Sequence, residues 1–442
     1  MKVLADLHIH GRYSQATSKD LSIPNLEKYA RIKGVNLLGT GDFTHPKWVQ
    51  ELKEHLTEDD TGILKTESGF QFMLQTEISL IYTQGGRGRR IHHVVLSPNL
   101  EVCNQITNYL LKFGRVDYDG RPIFKIPSSK FVEDLKAIER KIEVIPAHIW
   151  TPWFSMFGSK SGFDSVEECF GDQKKHIFAV ETGLSSDPPM NWRIPDLDGL
   201  TLVSNSDLHS FWPWRIGREA NEFNIKKNEL TYNSIINTIK TREGFTKTIE
   251  VDPNYGRYHF DGHRNCNICF SPTQTKEHNG ICPKCKKPLT IGVQYRVDEL
   301  AKRPEGYTPK NPIPFAKVIP LSEIISVVLG KAIATKSVWK EYFSLVDPKQ
   351  DRNEMQVLFE IPEEELLKKT SPKLADAILK NRIGAVKVQP GYDGEYGIPE
   401  LGGSPLTHEH EYDPKKSNKN HPLPAKKTLT SPPMQKGLND FL

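Results

Sequence analysis

Short apolar runs alternate with amphipathic stretches through the first half of the chain. Apolar residues recur at helical spacing between several runs, and one such helix is capped by Ser22 and ends at Gly34. Seven runs are short enough to be buried strands, at residues 3–7, 35–39, 70–74, 94–96, 143–145, 177–180 and 200–203. Repeated strand–helix units are typical of a parallel sheet, and about seven of them predict barrel-like closure.

The pattern changes after about residue 223, where a different domain organisation begins. We predict a barrel at 1–225, a connecting helical segment at 226–254, a small Cys-rich module at 255–296, a mainly helical C-terminal domain at 297–401, a disordered linker at 402–433 and a terminal peptide at 434–442. The helices of the C-terminal domain are expected at 322–331, 337–346 and 371–382.

Residues that bind metals stand at the ends of the apolar runs. They occur in Asp6-Leu7-His8-Ile9-His10, Gly41-Asp42, Thr76-Glu77, His92-His93, Ala147-His148, Glu181 and Asp207-Leu208-His209. In a parallel barrel the carboxyl ends of the strands share one face, so these side chains are expected to converge.

The spacing of these residues suits a site with more than one metal ion. Residues two apart on an extended chain point the same way, so His8 and His10 can reach one cluster, as can Asp207 and His209. Glu77 can bridge two ions, an arrangement suited to phosphoester hydrolysis. A single histidine at a strand end is usually structural. The prediction of a metal site therefore rests on the whole ordered set of residues and not on any single histidine.

The ordered motifs DLHIH, TGD, TE, HHVV, PAH and SDLH resemble those of the PHP (polymerase and histidinol phosphatase) family over roughly residues 1–225. The resemblance implies a distorted (β/α)7 barrel holding two or three divalent ions (Zn, Mg or Mn). The implied ligands are His8, His10, Asp42, Glu77, His93, His148, Asp207 and His209, with His8, His10, Asp42, Glu77, Asp207 and His209 as the catalytic set. His93 is chosen over His92 because the family histidine precedes a short apolar run. Phe43 departs from the TDH motif of many members and puts the third ion in question.

Four of the six cysteines form two CxxC pairs, Cys266/Cys269 and Cys282/Cys285. This spacing predicts a four-cysteine zinc ribbon in a reducing compartment, with one structural zinc ion.

Aromatic residues crowd the loops that follow His148 and His209, where they can stack on a base or simply pack the loop. The candidate substrate contacts are Glu181, Trp153, Trp192, Arg193, Trp212 and Arg215. Together with the ribbon, the chain resembles the endonuclease Q group. That resemblance implies cleavage of damaged DNA 5′ to deaminated bases (uracil, hypoxanthine, xanthine) and abasic sites. A small-molecule phosphatase and a non-catalytic DNA-binding scaffold remain alternatives.

The chain ends with a Gln435, Leu438, Phe441 and Leu442 pattern after the Pro- and Lys-rich linker. This pattern resembles the peptide by which repair proteins bind a DNA sliding clamp. The net charge of +4 favours an anionic partner only weakly. We find no targeting segment and no apolar run long enough for a membrane, so we expect a cytoplasmic, nucleoid-associated protein.

Overall fold

The computed structural model describes residues 1–401, so the predicted linker and terminal peptide lie outside the described residues. The strands are β1 (Lys2–Asp6), β2 (Leu37–Gly39), β3 (Ile63–Lys65), β4 (Gln71–Met73), β5 (Gln75–Gln84), β6 (Arg87–Leu96), β7 (Ile123–Phe124), β8 (Glu143–Pro146), β9 (Ala179–Glu181), β10 (Thr201–Val203), β11 (Ala220–Asn224), β12 (Phe245–Glu250), β13 (Asp261–His263), β14 (Ile268–Phe270), β15 (Phe315–Lys317), β16 (Lys387–Gln389) and β17 (Ile398–Glu400).

The described residues contain fourteen α-helices. They are α1 (Ile23–Lys33), α2 (Pro46–His55), α3 (Leu100–Leu110), α4 (Ser128–Ile138), α5 (Val166–Phe170), α6 (Pro188–Trp192), α7 (Tyr232–Thr241), α8 (Pro272–Glu277), α9 (Val293–Leu300), α10 (Leu321–Leu329), α11 (Lys336–Leu345), α12 (Glu354–Phe359), α13 (Glu363–Lys369) and α14 (Pro372–Arg382). Of these helices, α1, α10, α11 and α14 coincide with stretches predicted above. Ser22 caps α1 by accepting the N–H of Asn25, and Gly34 ends it with φ of 101°.

The sheets are mixed, and the expectation of parallel strands throughout is wrong. The largest sheet has the order β15-β12-β11-β1-β2-β4-β3, in which β1, β2 and β4 run parallel and β11 runs antiparallel to β1. A second sheet has the order β7-β5-β6-β8 around a long antiparallel β5–β6 hairpin, and β9 pairs with β10 in parallel. The segment 226–254, predicted to be helical, also contributes β12 to the largest sheet.

Contacts at the strand ends bring the separate sheets together. Only Leu74 separates β4 from β5. The Ile149 N–H donates to the Glu181 carbonyl (3.0 Å), which joins the end of β8 to the end of β9. The Leu7 N–H donates to Asn205 Oδ1 (2.8 Å), which joins the end of β1 to the segment after β10. These contacts bring the ends of β1, β8 and β9 and the segment after β10 close together.

The C-terminal helices pack directly on the first domain. One continuous apolar core contains Trp48 beneath β1 and β2 together with Trp339 of α11. Trp339 lies 5.6 Å from Trp214 and 6.2 Å from Trp212, measured between ring centroids. The loop that follows His209 is thus fixed by a distant part of the chain. In residues 1–401 no helix is long and apolar enough to cross a membrane.

Candidate metal centre and nucleic-acid cleft

Two buried histidines follow β1, and Nδ1 of each imidazole ring is hydrogen-bonded to a carboxylate. Nδ1 of His8 lies 3.0 Å from Glu181 Oε2, and Nδ1 of His10 lies 3.0 Å from Asp42 Oδ1. The other Asp42 oxygen accepts the N–H of Gly11 and the hydroxyl of Ser14. Because both carboxylates engage Nδ1, both imidazoles present Nε2 to the centre of the site. Asp42, predicted as a ligand, therefore orients His10.

Six side chains at the centre of the site form two groups of possible metal ligands. One group is His8, His10 and Asp207, and the other is Glu77, His92 and His148. Glu77 joins them, since its Oε1 lies 3.2 Å from His148 Nε2 and its Oε2 lies 3.4 Å from His10 Nε2. Two ligand groups that share a carboxylate are the arrangement expected of a two-ion centre.

The structure corrects the choice between the two adjacent histidines, because His92 and not His93 lies in the site. In the β5–β6 ladder Glu77 is opposite Val94, and residues two apart share a face, so His92 is on the side of Glu77. His93 points the other way, where its Nε2 bonds the Ser128 hydroxyl at 2.9 Å. The antiparallel register of β5 and β6 decides the matter.

This register predicts different outcomes for substituting the two histidines. His92→Asn should weaken metal binding by at least about a hundredfold, since even outer-shell partners contribute ten- to a hundredfold. His93→Asn should keep its metal and lose only stability, because the His93 ring packs near Phe131 and Phe170. Metal content measured by mass spectrometry after dialysis checks this. Metal loss in His93→Asn with retention in His92→Asn would reverse the assignment.

The backbone at the site turns sharply where three of these side chains leave their strands. Asp42, His148 and Asp207 have φ of 40°, 30° and 46°, in the left-handed region that non-glycine residues rarely adopt. Such conformations cost about 1–3 kcal/mol each and are usually kept at functional sites.

The charges of the site favour a bound cation. Burial alone would raise the pKa of Glu77, but His92, Arg121 and His8 hold it well below its ordinary value. Burial opposes protonation of His8, yet the carboxylates of Glu181 and Glu77 raise its pKa well above the ordinary value. The lowered pKa favours the ionised form of the buried Glu77 carboxyl group.

Two imidazole nitrogens of the site have no hydrogen-bond partner among the described residues and could therefore bind a metal ion. His8 Nε2 is buried and has no hydrogen-bond partner within residues 1–401. His92 Nδ1 is likewise without a hydrogen bond there, although it lies 2.8 Å from Glu77 Oε1. Buried polar atoms are nearly always satisfied, so two imidazole nitrogens aimed at carboxylates are suited to coordinate divalent cations.

Beside the metal ligands lies a cleft of about 590 Å³ with an aromatic and basic wall. Of the predicted substrate contacts, Trp153, Glu181 and Arg215 line it. The other three lie elsewhere, which corrects the prediction. Trp192 packs against Phe315, Arg193 pairs with Asp298 at 2.6 Å, and Trp212 stacks on Trp214. His209 lines the cleft beside Asp207.

Sequence reasoning missed several residues of this cleft. They are His92, Arg121, Arg218, Arg257, Tyr258 and Tyr396. Arg121 Nη1 lies 3.1 Å from Glu77 Oε2. The strand register could have identified His92, but no local motif marks the arginines and tyrosines, which come from distant segments.

The Cys-rich module forms a hairpin of β13 and β14 with a second candidate metal cluster. The cluster contains Cys266, Cys282 and Cys285 as expected, together with His263. Cys269 is not among these groups, and its sulfur lies 3.8 Å from the Pro390 carbonyl oxygen. The geometry thus puts a histidine where the spacing predicted a fourth cysteine.

An α/β fold with histidines and carboxylates gathered near strand ends is typical of metal-dependent hydrolases. A lesion-specific endonuclease from Pyrococcus furiosus, PfuEndoQ, matches 90% of this chain and 95% of its own, with 32% identity and a TM-score of 0.80. An endonuclease Q complexed with a 27-mer duplex carrying an abasic lesion matches 90% of this chain and 96% of its own, with 32% identity and a TM-score of 0.79. The chain belongs to the endonuclease Q family.

The other similarities cover the chain to different extents. Bacillus subtilis YqxK is 30% identical over 90% of this chain and 98% of its own length. Methanocaldococcus jannaschii MJ0043 is 36% identical over 66% of this chain, a match that spans only 36% of that longer protein. Residues 320–385 match the family described as the MJ0043 C-terminal domain, and they contain α10 to α14.

Proposed function

We propose that this protein is a DNA repair endonuclease that hydrolyses the backbone 5′ to a deaminated base (uracil, hypoxanthine or xanthine) or an abasic site. The observation that carries the proposal is the pair of ligand groups joined by Glu77 beside a cleft lined with arginines and aromatic rings. Membership of a family with lesion-specific members supports it. A phosphatase of small molecules would give no role to the Cys-rich module.

The residues of the site have distinct parts in this reaction. His8, His10 and Asp207 would hold one divalent ion (Zn, Mg or Mn), and Glu77, His92 and His148 a second. Bound ions would polarise the phosphate and activate water. Glu181 and Asp42 keep the imidazoles of His8 and His10 in place. Arg121 extends from Glu77 to the cleft, where its guanidinium can neutralise charge on the phosphate.

The aromatic wall suits a nucleotide removed from the duplex. Trp153 and Tyr258 line the cleft with ring centroids 6.1 Å apart, and Phe154 lies beside them. A base inside a duplex cannot be examined on its pairing edge, so an enzyme that reads damage extrudes the nucleotide and stacks it on such rings. We therefore propose that this cleft receives the damaged nucleotide.

The substrate assignment predicts selective nicking. Duplexes carrying a single uracil, hypoxanthine or abasic site should be cut once with added metal, leaving a 5′-phosphate on the lesion side. The matched undamaged duplex should be cut at least about a hundredfold more slowly, because an intact pair resists extrusion. Denaturing gels with both ends labelled, with and without EDTA, measure this. Equal cutting of undamaged DNA, or faster hydrolysis of histidinol phosphate, would refute the assignment.

We further propose that the Cys-rich module holds one structural zinc ion. Cys282→Ser should remove it and unfold the module, since a structural zinc supplies most of the folding free energy of so small a unit. Metal bound by the two ligand groups beside the cleft should stay. His263→Ala and Cys269→Ala form a matched pair. The geometry predicts zinc loss in the former, whereas the CxxC spacing predicts it in the latter. Zinc per chain, measured by mass spectrometry, decides, and full zinc in Cys282→Ser would refute the site.

The sliding-clamp partner is also a proposal. Gln435, Leu438, Phe441 and Leu442 lie outside the described residues, so the sequence pattern alone supports it. Binding of the apolar terminal peptide to a clamp, through the polar linker, would raise the effective concentration of the enzyme on DNA.

A further inference from the structure

Three arginines surround a single tyrosine in the wall of the cleft. The guanidinium carbons of Arg215 and Arg257 lie 4.9 Å and 5.2 Å from the centroid of the Tyr396 ring. Arg218 Nη1 lies 3.4 Å from the Tyr396 hydroxyl oxygen. All four residues line the same cleft as Asp207 and His209.

The positive charge of this cluster is poorly neutralised. Arg215 Nη1 is buried and has no hydrogen-bond partner within residues 1–401. Its nearest carboxylate oxygen, on Glu323, is 4.0 Å away and already accepts the Tyr255 hydroxyl at 2.5 Å. Burial would raise the pKa of Tyr396, but Arg218 and Arg215 lower it below its ordinary value. The surroundings therefore favour an anion.

Backbone carbonyls accept hydrogen bonds from two of these arginines, and one of the carbonyls is next to a candidate metal ligand. Arg218 is buried and donates from Nε (3.2 Å) and Nη2 (2.9 Å) to the carbonyl of Ser206, the residue before Asp207. Arg257 donates from Nε to the Gly394 carbonyl at 2.6 Å, which leaves its terminal nitrogens for another partner. An anion bound here would be fixed relative to the metal centre.

We propose that Arg215, Arg218 and Arg257, gathered around Tyr396, form a subsite for a phosphate group of the substrate strand beside the scissile phosphate. This proposal rests on the proposed function, since it assigns a second contact with the same DNA. Planar guanidinium groups match phosphate oxygens in pairs, so arginines suit a subsite that fixes strand position.

The subsite also gives a role to the C-terminal segment. Tyr396 lies in a stretch that packs on the Cys-rich module, where the Phe260 N–H donates to the Gly391 carbonyl (3.0 Å). Arg257 lies in the module just before β13, whereas Arg215 and Arg218 come from the loop after His209. The module and the C-terminal segment thus complete a binding surface that the first domain cannot form alone.

The test pairs arginine variants with duplexes in which one phosphate near the lesion is replaced by a neutral methylphosphonate. Binding is measured by fluorescence anisotropy over a range of salt. Arg215→Gln and Arg257→Gln should each weaken binding about tenfold and reduce the salt slope by about one. Arg140→Gln, an exposed change before the amino end of β8, should have neither effect. In wild type, one methylphosphonate position should weaken binding about tenfold, and in Arg215→Gln that position should no longer matter.

The outcomes separate this proposal from the proposed function. Independent effects at every position, or variants that bind as tightly as Arg140→Gln, would overturn the subsite. Coupled binding without nicking would uphold the subsite and refute the endonuclease. Nicking without coupling between the arginine variants and a methylphosphonate position would uphold the endonuclease and refute the subsite. Failure of the wild type to bind lesion duplexes would refute both proposals. Thermal melting of each variant tests whether the variant is folded. Arg257 is exposed, so Arg257→Gln should disturb the fold least.

Discussion

Lys33→Met should lower the free energy of unfolding by about 3–5 kcal/mol, because it leaves a buried carboxylate without its counter-ion. The Lys33 side chain is 1% exposed and that of Glu354 is fully buried, and Nζ lies 2.6 Å from Glu354 Oε1. Glu354 also accepts the Tyr342 hydroxyl and the Leu321 N–H. The pair thus joins α1 of the first domain to the C-terminal helices.

The same lysine also supports the loop after His209. Lys33 Nζ donates to the Pro213 carbonyl at 2.9 Å, between the stacked rings of Trp212 and Trp214. Chemical denaturation followed by tryptophan fluorescence measures the loss. The double variant Lys33→Met/Glu354→Gln is the control and should recover part of it, since removing both charges of a buried pair is often nearly neutral. A single variant as stable as the wild type would contradict this account.

The sequence predicted the elements of this fold better than their pairing. Local signals mark α1, because Ser22 and Gly34 are a helix cap and a helix end, and the apolar runs coincide with β1, β2, β4 and β8 to β10. The direction of β6 has no such local signal. Its antiparallel register with β5 put His92 in the site where the family pattern favoured His93.

Most of the metal ligands could be anticipated from the sequence, but only part of the cleft wall could. His8, His10, His148 and Asp207 follow strand ends, and Glu77 lies near the start of β5. The structure gathers these residues into two neighbouring ligand groups linked by Glu77. A contact between residues far apart in the sequence produces no periodic pattern of apolar and polar residues that could reveal it. Lys33 and Glu354 are 321 positions apart, and Tyr396 reaches the cleft from the far end of the described chain.

Glu77→Gln should have the largest effect on activity. Its carboxylate approaches both ligand groups and is the nearest partner of Arg121, so a neutral amide there weakens both metal positions together. Metal ions contribute several kcal/mol to stabilising such a transition state, and about 4 kcal/mol corresponds to roughly a thousandfold in rate. The amide has nearly the shape of the carboxylate, so the fold should persist.

Glu250→Gln is the matched control for this change. Glu250 is also a buried carboxyl group, but it bonds Ser204 and Thr182 and is outside the metal-ligand groups. Burial raises its pKa, which favours the protonated, neutral form, so an amide should replace it with little effect.

The most direct measurement is the single-turnover nicking rate of a duplex with one uracil, compared among wild type, Glu77→Gln and Glu250→Gln at saturating metal. We expect wild type and Glu250→Gln to nick 5′ to the uracil at similar rates. Glu77→Gln should be slower by about a thousandfold while melting as a folded protein. Nicking by Glu77→Gln at the wild-type rate would show that this metal centre does not carry the reaction.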